Sequence, residues 1–287
     1  MIQYSLPDIT RHLPLNLMIR QIQRTAPEMF FDDVGIDCVY GNFPGCIMNG
    51  GRHIVGERYT YDQLAETFDR IAAQGLITRL TLTNILIRPE QFEDEYSNMI
   101  LKAAQGRNVE VIVCRDELDD YVSARYHFRR ILSTSRALSG VDELNRMLDR
   151  YDMVVLDYNH NKDDEYLKKV KDPSRLEVMP NEMCKPGCPV RQQHYEYESR
   201  CQLEHKDSQF AGCPCSAVQL SWPPPADSPT LLTNEEVRRL HSTYKISNFK
   251  IVGRQISVQK LMTAYFYYLV RPEYCHVLSG ILLKKLT

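Results

Sequence analysis

Eight short apolar runs alternate with amphipathic stretches between residues 36 and 269, and that alternation predicts an α/β chain closed into a (β/α)8 TIM-like barrel. Two further observations agree. The chain has 287 residues, 43% hydrophobic and 25% charged, which suffices for one large core. Polar residues follow most of the apolar runs, at the strand ends where a barrel keeps its chemistry.

Residues 1–35 read as an N-terminal helical entry segment, with Leu13, Leu15, Leu17, Met18 and Ile22 as its apolar positions and prolines as punctuation. Residues 36–287 then form a single barrel domain. Its first strand is 36–40, followed by a glycine-rich loop carrying Asn42, Asn49 and Arg52. A helix over 61–74 precedes a strand at 79–83, and a helix over 91–104 precedes the strand VEVIVC at 109–114. A short helix at 117–126 leads to a strand at 129–134, and the amphipathic 141–150 leads to the buried-type run 152–157. The helix 163–170 and the sixth strand, LEVMP at 176–180, come next. SAVQL at 216–220 reads as the seventh strand. The proline-rich 222–230 is a rigid loop, Asn234 caps a helix over 235–244, NFKIV at 248–252 is the eighth strand, and 257–269 is the closing helix.

The densest chemistry lies after the sixth strand, in a loop over 181–215 that holds five of the nine cysteines: Cys184, Cys188, Cys201, Cys213 and Cys215. Soft sulfur ligands gather for iron–sulfur clusters or zinc, or to pair with one another. Lys-Pro-Gly between Cys184 and Cys188 is a turn-forming insert that brings two sulfurs toward one ion or cluster. Neither this pair nor Cys213-Pro-Cys215 has the C-x2-C spacing of a zinc ribbon. A four-thiolate 4Fe-4S cluster is the preferred reading, with structural zinc as the alternative and unconnected thiols or a disulfide as the plain one. Cys38, Cys46, Cys114 and Cys275 read as small apolar residues, Cys46 being the one placed to act as a distant ligand. The strand-end residues Tyr40, Asn42, Asn84, Cys114, Arg115, Ser133, Thr134, Ser135, Asp157, Asn159, Glu182 and Arg254 complete the candidate site.

Composition narrows the partners. A formal net charge of −2 gives no global case for nucleic acid or an anionic membrane. The first 23 residues mix polar groups into every apolar run and offer neither a signal-peptide core nor a membrane span, so a cytoplasmic location with reduced thiols is expected. An odd, uneven set of nine cysteines also argues against a secreted disulfide framework.

Three stretches carry a family resemblance. NFKIVGR at 248–254, with the following YFYYLVRPEY, resembles the strand-plus-arginine signature of the collagenase-like peptidase family U32. VYGNFPG with Asn49 and Arg52 resembles that family's first strand and loop, and LEVMPNEMCKPGC resembles the strand entering its cysteine motif. The resemblance implies a barrel binding a 4Fe-4S cluster through four cysteines, here Cys184, Cys188, Cys201 and one of Cys213 and Cys215. It also implies an oxygen-independent hydroxylase-type or related modification enzyme, with Arg52 and Arg254 gripping an anionic small-molecule substrate or co-substrate. Glu182 and Asp157 join the two arginines as catalytic candidates from their places at strand ends, and a barrel-end salt bridge with either is the plain alternative for the arginines.

Two alternatives stay open. A collagenase-like peptidase needs a nucleophile with a base or a metal-bound water, and the chain has neither H-E-x-x-H nor G-x-S-x-G; His194 reads as a surface histidine. A non-enzymatic protein would use zinc or an iron–sulfur site only to staple the loop. A partner subunit completing the site is a further expectation, and nucleic acid is left undecided as a substrate.

Overall fold

The computed structural model describes residues 1–50, 54, 56–210, 224, 227–253 and 256–286. Eight parallel strands close in sequence order: β1 (Ile2–Pro7), β2 (Val34–Gly41), β3 (Ile77–Leu82), β4 (Val109–Val113), β5 (Arg129–Leu132), β6 (Met153–Val155), β7 (Leu176–Val178) and β8 (Asn248–Lys250). Helices α1 (Leu13–Thr25), α2 (Tyr61–Ala73), α3 (Glu95–Ala104), α4 (Asp116–Arg125), α5 (Val141–Arg150) and α6 (Asp164–Leu167) follow the first six strands. α7 (Arg191–Glu204) and α8 (Asn234–Tyr244) both lie between β7 and β8, and α9 (Val258–Leu269) and α10 (Cys275–Leu286) close the chain. The expected (β/α)8 barrel is the observed fold.

The register of the alternation differs from expectation at the start. Ile2–Pro7, inside the supposed helical lead-in, is the barrel's first strand and pairs with both β2 and β8. Six residues ending in a proline, directly against a helical run, have too few repeats to show a strand period. The strand expected at 216–220 lies outside the described residues, and β7 pairs directly with β8. LEV at 176–178 is thus the seventh strand, and the cysteine loop follows it. At α8 the cap is Thr233, whose side chain accepts from Glu236 N while Glu236 closes the capping box; Asn234 is the first helical residue and donates to the Tyr267 carbonyl.

The strands owe their place to inward and outward alternation. Outward residues such as Leu80, Val111 and Phe249 are buried among the helices in one large apolar cluster. The inward residues of the lower barrel are charged. Arg79 of β3, 1% exposed, donates to Glu110 of β4 at 2.7 Å and Glu177 of β7 at 2.6 Å and lies 3.6 Å from Asp37 of β2. Arg129 reaches Glu110 at 2.9 Å and Lys250 stands 3.5 Å from Glu177. These are three cations against three carboxylates. Desolvating so many charges is tolerable because each carboxylate meets a guanidinium or ammonium, and removing one partner would strand a buried charge. Asp37 enters the set through a bulge: the register jumps from Tyr4↔Ile36 to Ser5↔Cys38, so Asp37 has no residue opposite.

Candidate functional site

At the strand C-termini the interior opens into a pocket of about 70 Å³, enough for several waters or a small polar group. Its lining carries the hydroxyl residues Thr81, Thr83, Ser133, Thr134 and Ser135. Ile112, Val155, Met179 and Val252 make its apolar share, and Tyr40, Tyr195 and Lys250 complete the lining. Among the described lining residues Lys250 is the only ionic one.

Each group is held from outside the pocket. Lys250 closes β8 with its ammonium 4.1 Å over the Tyr40 ring, and the Tyr40 hydroxyl donates to the Ile251 carbonyl at 2.8 Å, fixing that ring. Burial by itself would raise the Glu177 carboxyl, but Lys250 and Arg79 together outweigh it and hold it below the usual carboxylate range. Ser133 and Ser135 share a 2.9 Å hydroxyl contact, while Thr134 Oγ1 is buried with no hydrogen-bond partner among the described residues. Thr81 donates to Asn49 Oδ1 at 2.7 Å and Thr83 to the Gly50 carbonyl at 2.9 Å. A Cβ on Gly50 would sit 2.3 Å from the Thr83 carbonyl oxygen, so this glycine serves a close approach of backbone to backbone.

α7 lies over this end of the barrel on an unusually polar inner face, with Glu198, Ser199, Cys201 and Gln202 buried. Asn84 donates to the Ser199 carbonyl at 3.1 Å and Ile85 N to Ser199 Oγ at 3.2 Å; Asn49 and Ile54 N both donate to Gln202 Oε1 at 3.3 Å. The helix is therefore docked by hydrogen bonds to the loops after β2 and β3, and it carries Tyr195 into the pocket wall.

Cys184 and Cys188 lie on one turn after β7, half-buried and with reduced thiols. Cys184 packs against the small interior cluster that includes Tyr40, Ile112, Val155 and Met179, the same side chains that line the pocket. Its neighbours are polar on the other side. Glu182 accepts from Cys184 N at 3.1 Å and from Arg191 at 3.0 Å, and the Arg191 guanidinium lies beside Cys184. Arg191 also stacks on Tyr158 at 4.4 Å and Tyr195 at 5.0 Å. Burial, and then Cys184, raise the Tyr158 hydroxyl above its ordinary range.

The expected site residues divide sharply. Arg52, Arg254, Cys213 and Cys215 lie outside the described residues. Glu182 stands at the mouth, paired with Arg191. Asp157 is not among the described residues that line the pocket, and its Oδ1 accepts from Asn159 N and Nδ2, both at 2.8 Å, capping a short turn. Asn42 and Asn84 are struts between loop backbones. His194 is packed rather than surface-borne, stacked on Phe210 at 4.6 Å and 3.1 Å from Glu198. Cys46 is an interior residue: burial pushes its thiol up to about 11, and it contacts Ser97 Oγ at 3.5 Å. Cys38 and Cys114 are buried too, and Cys275 is half-buried. Tyr40 and the 133–135 hydroxyls were anticipated at the strand ends. Thr81, Thr83, Lys250, Arg191 and Tyr195 were not, although a lysine inside the apolar run NFKIV was a visible signal.

The donor chemistry of Cys184 and Cys188 suits a soft-metal group, and Cys201 brings a third, buried thiol on α7. Among the described residues no three His, Cys, Asp or Glu are gathered closely enough to hold a metal ion. A set of four requires Cys213 or Cys215.

No family model matches the chain, and no curated protein matches it. Among solved structures it is similar to the U32 peptidase Mk0906, with a TM-score of 0.57 and 14% identity over 89% of this chain and 94% of that one. A GH113 β-1,4-mannanase is more distant, with a TM-score of 0.40 and 13% identity over 87% of this chain and 86% of that one. The first likeness establishes a shared barrel fold of the U32-peptidase kind.

Proposed function

We propose that the chain is a U32-type barrel enzyme that modifies a small molecule at the barrel mouth, by oxygen-independent hydroxylation or a related reaction. Its 4Fe-4S cluster would be held at the edge of the pocket by Cys184, Cys188, Cys201 and one of Cys213 and Cys215. The observation that carries this reading is the packing of Cys184 against the pocket's own walls, which joins the cysteine loop and the pocket into one site. The U32-like fold accords with it, and a cytoplasmic location, where thiols stay reduced, is part of the proposal. Among the described residues no helix is long and apolar enough to cross a membrane.

A bound cluster supplies one-electron or Lewis-acid chemistry. The chain's own residues do the rest. Arg191 sets positive charge beside Cys184, Glu182 fixes the Cys184 backbone, and α7 with Tyr195 covers the mouth and limits water. Thr134, whose Oγ1 has no hydrogen-bond partner among the described residues, is the pocket hydroxyl left to orient an oxygen-bearing ligand.

Anaerobic purification with iron, sulfide and zinc analysis tests the reading. About four irons and four sulfides per chain are expected, lost together in Cys184→Ala, Cys188→Ala and Cys201→Ala. One zinc per chain, or full metal content in all three variants, would overturn it.

A further inference from the structure

The first residue of α7 reaches back to the cysteine turn. The Arg191 side chain is only 14% exposed, and its guanidinium lies beside Cys184 and over two tyrosine rings, Tyr158 at 4.4 Å and Tyr195 at 5.0 Å. Tyr158 is pinned to the same turn, its hydroxyl donating to the Lys185 carbonyl at 2.7 Å. Glu182 joins the two parts: Oε1 accepts from Cys184 N at 3.1 Å and Oε2 from Arg191 Nη2 at 3.0 Å. A planar cation held by a carboxylate and two rings is preorganised to donate in a fixed direction. Yet Arg191 Nε is buried with no hydrogen-bond partner among the described residues. Buried donors of charged groups are ordinarily satisfied, because leaving one unpaired is costly. The cysteine sulfur beside it accepts weakly as a thiol and more strongly when ionised and metal-bound.

From this geometry we infer that Arg191 is a positioning residue for the metal group, its guanidinium donating a charge-assisted hydrogen bond to the Cys184 thiolate and so raising the reduction potential of the cluster. The inference deepens the iron–sulfur reading, on which it rests. One-electron reduction adds one negative charge to the group that Cys184 holds, with no protein bond formed or broken. A fixed positive donor stabilises that more negative state, and Arg191 keeps its protons throughout. A role confined to clamping α7 onto the turn after β7 would hold the helix without moving a potential.

Redox titration of the anaerobically purified full chain with dithionite, read by electron paramagnetic resonance alongside iron analysis, tests this. Arg191→Met is expected to shift the reduction equilibrium at least tenfold toward the oxidised cluster, about 59 mV for one electron, at unchanged iron content. Arg191→Lys, which keeps the charge and loses the fork, should recover part of the shift. Because Arg191→Met also leaves Glu182 uncompensated, the double variant Glu182→Gln with Arg191→Met restores the pair's net charge. A potential that stays low in the double variant assigns the effect to the hydrogen bond, and a return to the wild-type value would overturn it. An unmoved potential in Arg191→Met, or iron lost from both folded single variants, would overturn it as well. Melting curves identify a variant that has failed to fold; Arg191→Lys then decides, a potential equal to that of the wild type counting against the assignment. Wild-type protein without iron would sink the cluster reading and this inference with it, whereas full iron with an unmoved potential would sink this inference alone.

Discussion

The two halves of the barrel interior use polar groups in opposite ways. Below the pocket, every carboxylate faces a guanidinium or an ammonium within 3.6 Å, and the contacts close on one another from Arg129 to Lys250. Above it, hydroxyls, two tyrosine rings and a half-buried cysteine surround an open volume, under a helix docked by polar groups. The lower half spends its polar groups on itself. The upper half turns them toward an occupant, and the lower half fixes the one charge that both halves share.

If the lower layer is a closed set, breaking it should be the most damaging single change in the molecule. Arg79→Met leaves the buried Glu110 and Glu177 and the half-buried Asp37 without their common partner, and a loss of about 3–5 kcal/mol in chemical denaturation is expected. Thiol chemistry sharpens the same contrast. In metal-free protein at pH 8, iodoacetamide should label Cys184 and Cys188 roughly 100-fold or more faster than Cys46 and Cys114. Burial pushes those two thiols up to about 11 and about 12, and peptide mass spectrometry reads the rates.

Asp37 is the weak member of the lower layer. Burial, against the pull of Arg79, raises its carboxyl to about 6 from an ordinary value of 3.8. Between these values the folded chain holds more protons than the unfolded one, so this group's contribution to stability falls as pH rises through that window. Asp37→Asn should therefore flatten the pH dependence and, above pH 6, gain about 1–2 kcal/mol over the parent, as melting across pH 4–8 will show. The smallest effect belongs to the upper half. Ser199→Ala removes a hydrogen bond from Ile85 N and should cost about 1 kcal/mol, with faster amide exchange confined to α7 and the loop after β3.

This division explains what the sequence disclosed. The strands from β2 onward were legible because Val, Ile and Leu recur in short runs between amphipathic helices, and β1 was not, since six residues beside a helix show no period. Arg79, Glu110, Glu177 and Lys250 stood in plain view inside RLTLT, VEVIVC, LEVMP and NFKIV, but alternation in a strand does not say which face is the core. In a barrel both faces are buried, and here the charged set points inward. The cysteine loop was conspicuous by composition, whereas Arg191 and Tyr195 sit on a helix with no apolar stripe to reveal its inner face. Asp157 shows the ambiguity from the other side, because a strand-end carboxylate that caps a turn has the same sequence appearance as one that meets a ligand.

The unity of loop and pocket is tested most directly by comparing the visible spectra of anaerobically purified wild-type protein and Met179→Gln, a change in the pocket wall against which Cys184 packs. The account predicts an iron–sulfur absorption whose bands shift in the variant at unchanged iron content. Identical spectra in the two proteins would place the thiols and the pocket in separate sites and contradict it.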